Sequence, residues 1–358
     1  MKRLLQALGK LILMGVIAVM LAGALGFFYL FKSSYNAVSY DKPKRMIIRR
    51  GTPYVHIIQQ LQEKGVIKEV LPMRLVGYLM PEKQNIKPGR YDIPSGLSSA
   101  ELIDFLYRHE QDEVRLRVPE GSRGEMVAKI VSDSLEFAAQ DFMTAFSDTT
   151  LLQSLQVHAP SFEGYLLPDT YNMPWEFTAE DVIRFLVGKL NKFYRGELSQ
   201  LATQAGLSKH EVLTLASIVE AETPIVNERP VVASVYLNRL KRGMRLQADP
   251  TVQFALGGKP RRLLYRDLEV DSPYNTYLHA GLPPGPIGNP SRSAIEAVIK
   301  PAKTNYLYFV ATGNGGHNFS RTAAEHHRNV EKYRVIMRQK RAAERLAKRL
   351  AKQNQATK

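Results

Sequence analysis

Residues 11 to 31, LILMGVIAVMLAGALGFFYLF, carry no charged side chain. The run is close to the roughly 20 residues that cross a bilayer as a helix. A cleavable secretory signal has a shorter apolar core and a small-residue cleavage site, whereas this run ends in Phe27, Phe28, Tyr29 and Phe31. A buried core helix is a poor account of it at the extreme N-terminus, behind Lys2, Arg3 and Lys10. The expectation is an uncleaved single-pass anchor over residues 11–32. The basic residues before it place residues 1–10 in the cytoplasm. Tyr29 and Lys32 suit the far interface, so the remainder of the chain works outside the inner face of the membrane.

The length of 358 residues leaves room for two or three domains, and 44% hydrophobic content is ordinary for a globular chain. With no cysteine, disulfides and thiolate metal sites are excluded, and the redox compartment is left open. A net charge of +15 suggests an acidic partner until its distribution is read. Lys and Arg are concentrated from Lys332 to Lys358 against the single acid Glu344. The body is only mildly basic, so no nucleic-acid partner is expected. The tail, residues 335–358, reads as a solvated or membrane-surface helix.

Short strands mixed with helices predict an α+β fold. Met46 to Ile48 reads as a strand, followed by helices around Val55–Leu61 and Met73–Leu79, a turn at Lys87-Pro88-Gly89 and a strand over 90–93. Ser98 and Glu101 open a further helix. These make a small module over 46–113. A larger mixed domain over 114–334 begins with a strand at 114–118, helices over 125–135 and 141–154, and a shaped loop at 162–171. In that loop Tyr165 and Tyr171 are candidates to stack on sugar faces, with Glu163 or Asp169 ordering a cleft. The alternative for both tyrosines is core packing. Trp175 reads as packing, and a helix runs from Glu180 to Arg195.

The chemistry gathers between Ser208 and Thr251. Ser208 and Glu211 form a capping box, and Val212, Leu215, Ala216 and Val219 recur at helical spacing, which predicts a helix with one face inward. Glu220 and Glu222 fall at its last turn, on the flanks of the apolar stripe. Partial burial and the negative end of the helix dipole both push a carboxyl pKa upward, as a general acid near neutral pH requires. An ordinary solvated Glu pair is the bland alternative, and spacing does not choose between Glu220 and Glu222. Asn227 is read as the cap of a second helix with Pro230 in its first turn. Gln247, Asp249 and Thr251 then follow on a polar loop able to line a ligand cleft. Val252 to Leu256 is open between strand and helix, a helix follows Ser291, and a strand spans Tyr306 to Ala311. The adjacent His326 and His327 point about 100° apart and do not share a metal face. With no HExxH spacing, no metal and no cofactor are expected, and His317 reads as a hydrogen-bonding residue near the cleft.

SIVEAET, ASVYLNRLKRGMRLQADPTVQFALG and SPYNTYLHAGLPPGPIGNPS, with EGYLLPDTY before them and GGHNFSRTAAEHHRNVEKY after, closely resemble the YceG-like family of endolytic murein transglycosylases. The resemblance runs from about Met46 to Arg334 with order and spacing intact. It implies a LysM-like module at 46–113, the catalytic domain at 114–334, and a lyase that cuts the MurNAc-GlcNAc bond of peptidoglycan to leave 1,6-anhydro-MurNAc ends on nascent strands at the bacterial inner membrane. It also implies Glu220 as the acid. Glu222, Asn238, Gln247, Asp249, Thr251, Tyr165, Tyr171 and Asn275 are the substrate-binding candidates. Peptidoglycan synthases are plausible partners for an enzyme held beside new strands. Two rivals are a non-enzymatic wall-binding scaffold and a muramidase-type hydrolase.

Overall fold

A computed structural model of the chain describes residues 2–31, 34–110, 112–258 and 261–356, without the side chains of 2–5, 7, 30, 31, 34, 346 and 349–356. The Lys2, Arg3 and Lys32 side chains, which frame the expected anchor, and the distal charges of the basic tail lie outside what is described. The chain divides into two compact units: 1–114 with 173–176, and 115–172 with 177–358.

The first unit opens with α1 (Lys2–Phe31). Its segment Leu8–Tyr29 is long and apolar enough to cross a membrane, with side chains such as Leu11 and Met14 facing outward. Then follow β1 (Lys44–Ile48), α2 (Tyr54–Glu63), α3 (Val70–Leu79), β2 (Gly89–Ile93) and α4 (Ser99–Arg108). β1 and β2 are antiparallel, with Met46 opposite Tyr91 and Lys44 opposite Ile93. Period-two alternation sends Met46, Ile48, Tyr91 and Ile93 inward onto Ile57, Ile58 and Leu61 of α2, Met73 and Val76 of α3, and Leu102 and Leu106 of α4. Ser98 caps α4 through the box with Glu101. Trp175 is buried in this unit, beneath the Arg90 guanidinium at 5.4 Å.

The second unit is mainly helical. β3 (Glu113–Val118) pairs with β4 (Asp169–Pro174). Between them lie α5 (Gly124–Ser132), α6 (Ala139–Phe146) and α7 (Thr149–Ser154). The single helix expected over 141–154 is two helices, because Asp148 turns its carboxylate back to accept the Leu151 amide at 2.7 Å and starts α7 afresh. The loop expected through Tyr171 becomes a strand from Asp169. Tyr171 and Met173 alternate inward there, a pattern hidden in sequence by the flanking Pro168 and Pro174.

α8 (Ala179–Tyr194) and α9 (Glu197–Gln204) lead to α10 (Lys209–Glu222), α11 (Arg229–Lys241) and α12 (Asp249–Leu256). α9 was not anticipated. Asn227 lies in a short 3-10 turn and does not cap α11, whose N-cap position is Glu228. α13 (Arg292–Ile299) follows the proline-rich loop, capped by Ser291. β5 (Tyr308–Ala311) and β6 (His317–Ser320) form a hairpin with Tyr308 opposite Ser320, and α14 (Ala323–Ala356) packs its first turns on that hairpin.

α10 is the centre of this unit. Its capping box is formed as expected, Ser208 Oγ accepting the Glu211 amide and Glu211 Oε2 the Ser208 amide at 2.8 Å. The single inward face is not what forms: Val212 through Val219 are buried consecutively, between α9, α11, α12 and α13. Its two interior hydroxyls are accordingly satisfied, Thr214 by the His210 carbonyl and Ser217 by the Thr214 carbonyl. Ser217 also accepts the Ile287 amide at 3.0 Å, which fastens the proline-rich loop to the helix.

Asn289 fixes the same loop at its far end. Its side chain accepts the Leu166 amide at 3.0 Å and donates to the Ser122 carbonyl at 2.8 Å, fully buried. Gly164 closes the joint: its φ is +81°, and a Cβ there would lie 2.2 Å from Pro286 Cβ. Gly164→Ala is therefore expected to destabilise the fold by about 1–3 kcal/mol through overpacking and left-handed strain. Denaturant unfolding measures this, and an unchanged midpoint would contradict the described packing.

Candidate active site

Two carboxylates leave the last turn of α10 and meet different surroundings. Glu220 Oε1 receives Arg229 Nη2 at 2.5 Å, and its Oε2 accepts the Ser291 amide at 3.0 Å as well as the Ser291 hydroxyl. Arg229 Nη1 donates to Ser291 Oγ at 2.6 Å and to Ser293 Oγ. Both partners are buried, with side-chain exposures of 3% for Arg229 and 7% for Glu220. The pair thus ties the end of α10 to the starts of α11 and α13. Arg229 Nη2 also lies 3.7 Å from the exposed Glu120.

Glu222 lines a cavity of about 290 Å³ together with Tyr236, Arg239, Gln247, Asp249 and Tyr277. Leu246, Phe309 and His326 complete the lining. The Tyr236 hydroxyl donates to Glu222 Oε1 at 2.5 Å, and the Tyr277 hydroxyl donates to Asp249 Oδ1 at 2.5 Å. Glu222 keeps some surface toward the cavity, but its carboxyl is withdrawn from water. Burial first, then the nearby Asp249 charge, push it up to about 7 against the opposing Tyr236 hydrogen bond and Arg239 charge. Burial and the facing Glu222 likewise raise Tyr236, which stays a phenol that donates. Arg239 is fixed by carbonyls, with Nε on Leu307 at 2.7 Å and Nη1 on Leu246 at 2.8 Å.

Gln247 occupies the left-handed region at φ +50°, which is uncommon for a residue with a Cβ, and its amide donates to the Thr276 carbonyl at 3.1 Å. Such strain gathers where a side chain must be aimed. The arrangement offers an acid raised to about 7, a second carboxylate, two phenols and an amide around space at the small end of the range for ligand pockets.

Spacing leaves the raised acid open between Glu220 and Glu222, and the upward shift falls on Glu222. Glu220 does not line this cavity, and both of its oxygens are engaged by protein donors. Of the other candidates, the structure brings Gln247 and Asp249 to Glu222 and leaves the rest elsewhere. Tyr165 and Tyr171 are buried, their hydroxyls on His210 Nδ1 and on the Leu167 carbonyl, both at 2.8 Å, so neither ring is free to stack on a sugar. Thr251 is fully buried against the Ala248 carbonyl and Thr276 Oγ1. Asn275, also fully buried, donates to the Leu268 and Val270 carbonyls and shapes the loop that carries Tyr277. Asn238 donates to the Thr304 and Tyr306 carbonyls. Glu163 is raised to about 7 by burial and accepts the Gly124 amide, a joint inside the domain. His317 is hydrogen-bonded, its Nδ1 2.7 Å from Glu228. Tyr236, Arg239, Tyr277, Phe309 and His326 were not singled out for this site. Three of them sit on α11 and the hairpin, where the sequence shows only apolar periodicity.

Two outcomes are expected. Arg229→Met leaves Glu220 buried without its cation and should cost about 3–5 kcal/mol in urea unfolding. Glu222 in the folded protein lies above its ordinary value of 4.5, so the folded state holds the extra proton between about 4.5 and about 7. Stability should therefore fall as pH rises through that window. Glu222→Gln should remove that part of the slope in melting temperature against pH, and a retained slope would point to another group.

The YceG-like family profile matches residues 46–332. The endolytic murein transglycosylase of Bacillus subtilis strain 168 is 37% identical over 235 residues, covering 61% of this chain and 65% of that protein. The endolytic murein transglycosylase of Streptococcus pneumoniae serotype 2 is 29% identical over 320 residues, covering 80% of this chain and 57% of that protein. The chain thus spans less than two thirds of the length of either relative. A solved structure of a yceG-like protein from Listeria monocytogenes superposes with a TM-score of 0.56 at 30% identity, over 80% of this chain and 98% of that one. Matched by the profile over most of its length, the chain belongs to the YceG-like family.

Proposed function

We propose that the protein is a lytic transglycosylase of peptidoglycan in which Glu222, and not Glu220, is the proton donor. The observation that carries this is the placement of Glu222. It is the acid at the end of α10 that opens on a cavity, and its carboxyl is pushed up to about 7 while Tyr236 holds one oxygen. The neighbouring Glu220 is bound into an ion pair that joins three helices. The activity of the relatives supplies the substrate class, and the cavity supplies the chemistry.

The protonated Glu222 gives its proton to the oxygen between MurNAc and GlcNAc as the C1–O bond breaks. The muramoyl C6 hydroxyl then attacks C1, gives up its proton to restore the acid form of Glu222 and closes the 1,6-anhydro ring, so no water enters the product. A nucleophile on the same sugar has a high effective concentration, which lets one acid suffice where most glycosidases use two carboxylates. Asp249, held by Tyr277, faces the site as an anion that favours positive charge developing at C1. Gln247 is aimed at the same space.

The reading extends to the rest of the chain. The apolar helix α1 holds the protein as a single-pass inner-membrane anchor, with the chain that follows it on the extracytoplasmic side, next to strands being made. The strand–helix–helix–strand order of β1, α2, α3 and β2 fits a LysM-like module that contacts glycan. Peptidoglycan synthases are natural neighbours there.

Incubating the full chain with purified sacculi, followed by mass analysis of the glycan ends, tests this reading. Wild type should release anhydro-MurNAc ends, at a rate that falls as pH rises above about 7 and Glu222 loses its proton. Glu222→Gln should lower that rate at least about 100-fold with the fold retained. Reducing ends would point to a muramidase, and binding without new ends to a scaffold. Full activity in Glu222→Gln would return the acid to another residue.

A further inference from the structure

We propose that His326 is a second catalytic residue of this site, the base that takes the proton from the attacking C6 hydroxyl. The inference rests on the reading above and divides between two groups what a single carboxylate would otherwise do.

His326 lies in the first turns of α14 and lines the same cavity as Glu222. Its Nδ1 is buried and has no hydrogen-bond partner among the described residues. The Nδ1 atoms of the other histidines on this unit's helices and strands are taken. His210 Nδ1 meets Tyr165, His317 Nδ1 meets Glu228, and His327 Nδ1 meets the Ala323 carbonyl. A buried imidazole nitrogen without a partner calls for an explanation, and a ligand in the adjoining cavity supplies one. The ring is also held in place. It stacks on Tyr308 with centroids 5.3 Å apart and planes 24° apart, and Tyr308 carries Arg239 on its ring at 5.3 Å.

The charges around the ring favour a free base. Arg239 from α11 and His327 from its own helix disfavour a second positive charge, and burial acts in the same direction and more strongly, so His326 is lowered from its ordinary 6.5. Across the cavity stand Glu222 and Asp249, with the phenols of Tyr236 and Tyr277 on them. On β6, the hairpin strand that packs on α14, His317 is already paired with Glu228. An acid raised to about 7 and an imidazole lowered below 6.5 in one cavity leave a window in which the first holds a proton and the second lacks one.

The proton count closes. Glu222 gives one proton to the leaving GlcNAc oxygen as C1–O breaks, and His326 accepts one from the C6 hydroxyl as C1–O6 forms. The imidazolium then returns its proton, directly or through solvent, to the Glu222 carboxylate, and the enzyme is reset. With this division, ring closure does not wait for the departing sugar to clear the oxygen that protonated it.

The test uses the full chain, with His326→Gln, His326→Ala and Glu222→Gln beside wild type. Release of anhydro-MurNAc ends from sacculi is followed from about pH 5 to about pH 8. A base at His326 predicts a kcat loss of about 100-fold or more in both His326 variants with KM little changed. It also predicts that the acid limb of the wild-type profile flattens while the alkaline limb remains, and that added imidazole restores part of the rate to His326→Ala. An acid limb that persists unchanged, a loss confined to KM, or no rescue with the fold intact would overturn it. If His326→Ala does not fold, the profile of His326→Gln decides alone. If wild type makes no anhydro ends, or Glu222→Gln matches wild type, the transglycosylase reading itself fails. If both hold and only the histidine outcomes miss, this inference alone is wrong.

Discussion

α10 exposes no face to water between Val212 and Val219, and every polar group carried into its last turn has to be answered from inside the protein. Burying a carboxylate without a partner is costly, so each acid there meets either a cation or a proton. Glu220 meets Arg229, with Ser291 on its other oxygen. Glu222 meets a phenol and keeps a proton to higher pH. Two residues of one type, two positions apart, are separated into a member of an ion pair and an acid beside a cavity by what faces them across the helix packing.

The ion pair also supports the cavity. Arg229 begins α11 and Ser291 caps α13, so the ion pair fixes the start of the helix that carries Tyr236 and Arg239 into the cavity. The joints at Asn289, Gly164 and Ser217 hold the proline-rich loop against α10 in the same way. The proposed reaction needs this rigidity, because small displacements of a proton donor are expensive in rate. Stiff, hydrogen-bonded surroundings also keep the cavity from relaxing around a charged Glu222, which preserves the cause of its shift.

Other features divide along the same line. The tyrosines of the 162–171 stretch look suited to sugars but are turned inward, each hydroxyl on a protein acceptor. The phenols that do face the cavity, Tyr236 and Tyr277, come from a helix with an ordinary apolar pattern and from a loop shaped by Asn275. Sequence periodicity reports whether a residue is on the buried side. It does not report whether that burial is against the core or beside an enclosed space.

The sequence by itself determined the apolar N-terminal segment, the α+β mixture, the caps at Ser98, Ser208 and Ser291, the family motifs, and the two acids at the end of α10. Each of these is local: it depends on residues a few positions apart, or on a long motif read in register. Only the tertiary structure set Glu220 against Arg229 and Glu222 beside a cavity, placed Thr251, Asn275, Asn238 and the buried tyrosines on protein partners, and brought His326 to the same cavity from more than a hundred residues further along the chain. The physical reason is that a carboxyl group's protonation and a cavity's lining are set by groups distant in sequence, and spacing along the chain holds no record of what the fold will place opposite.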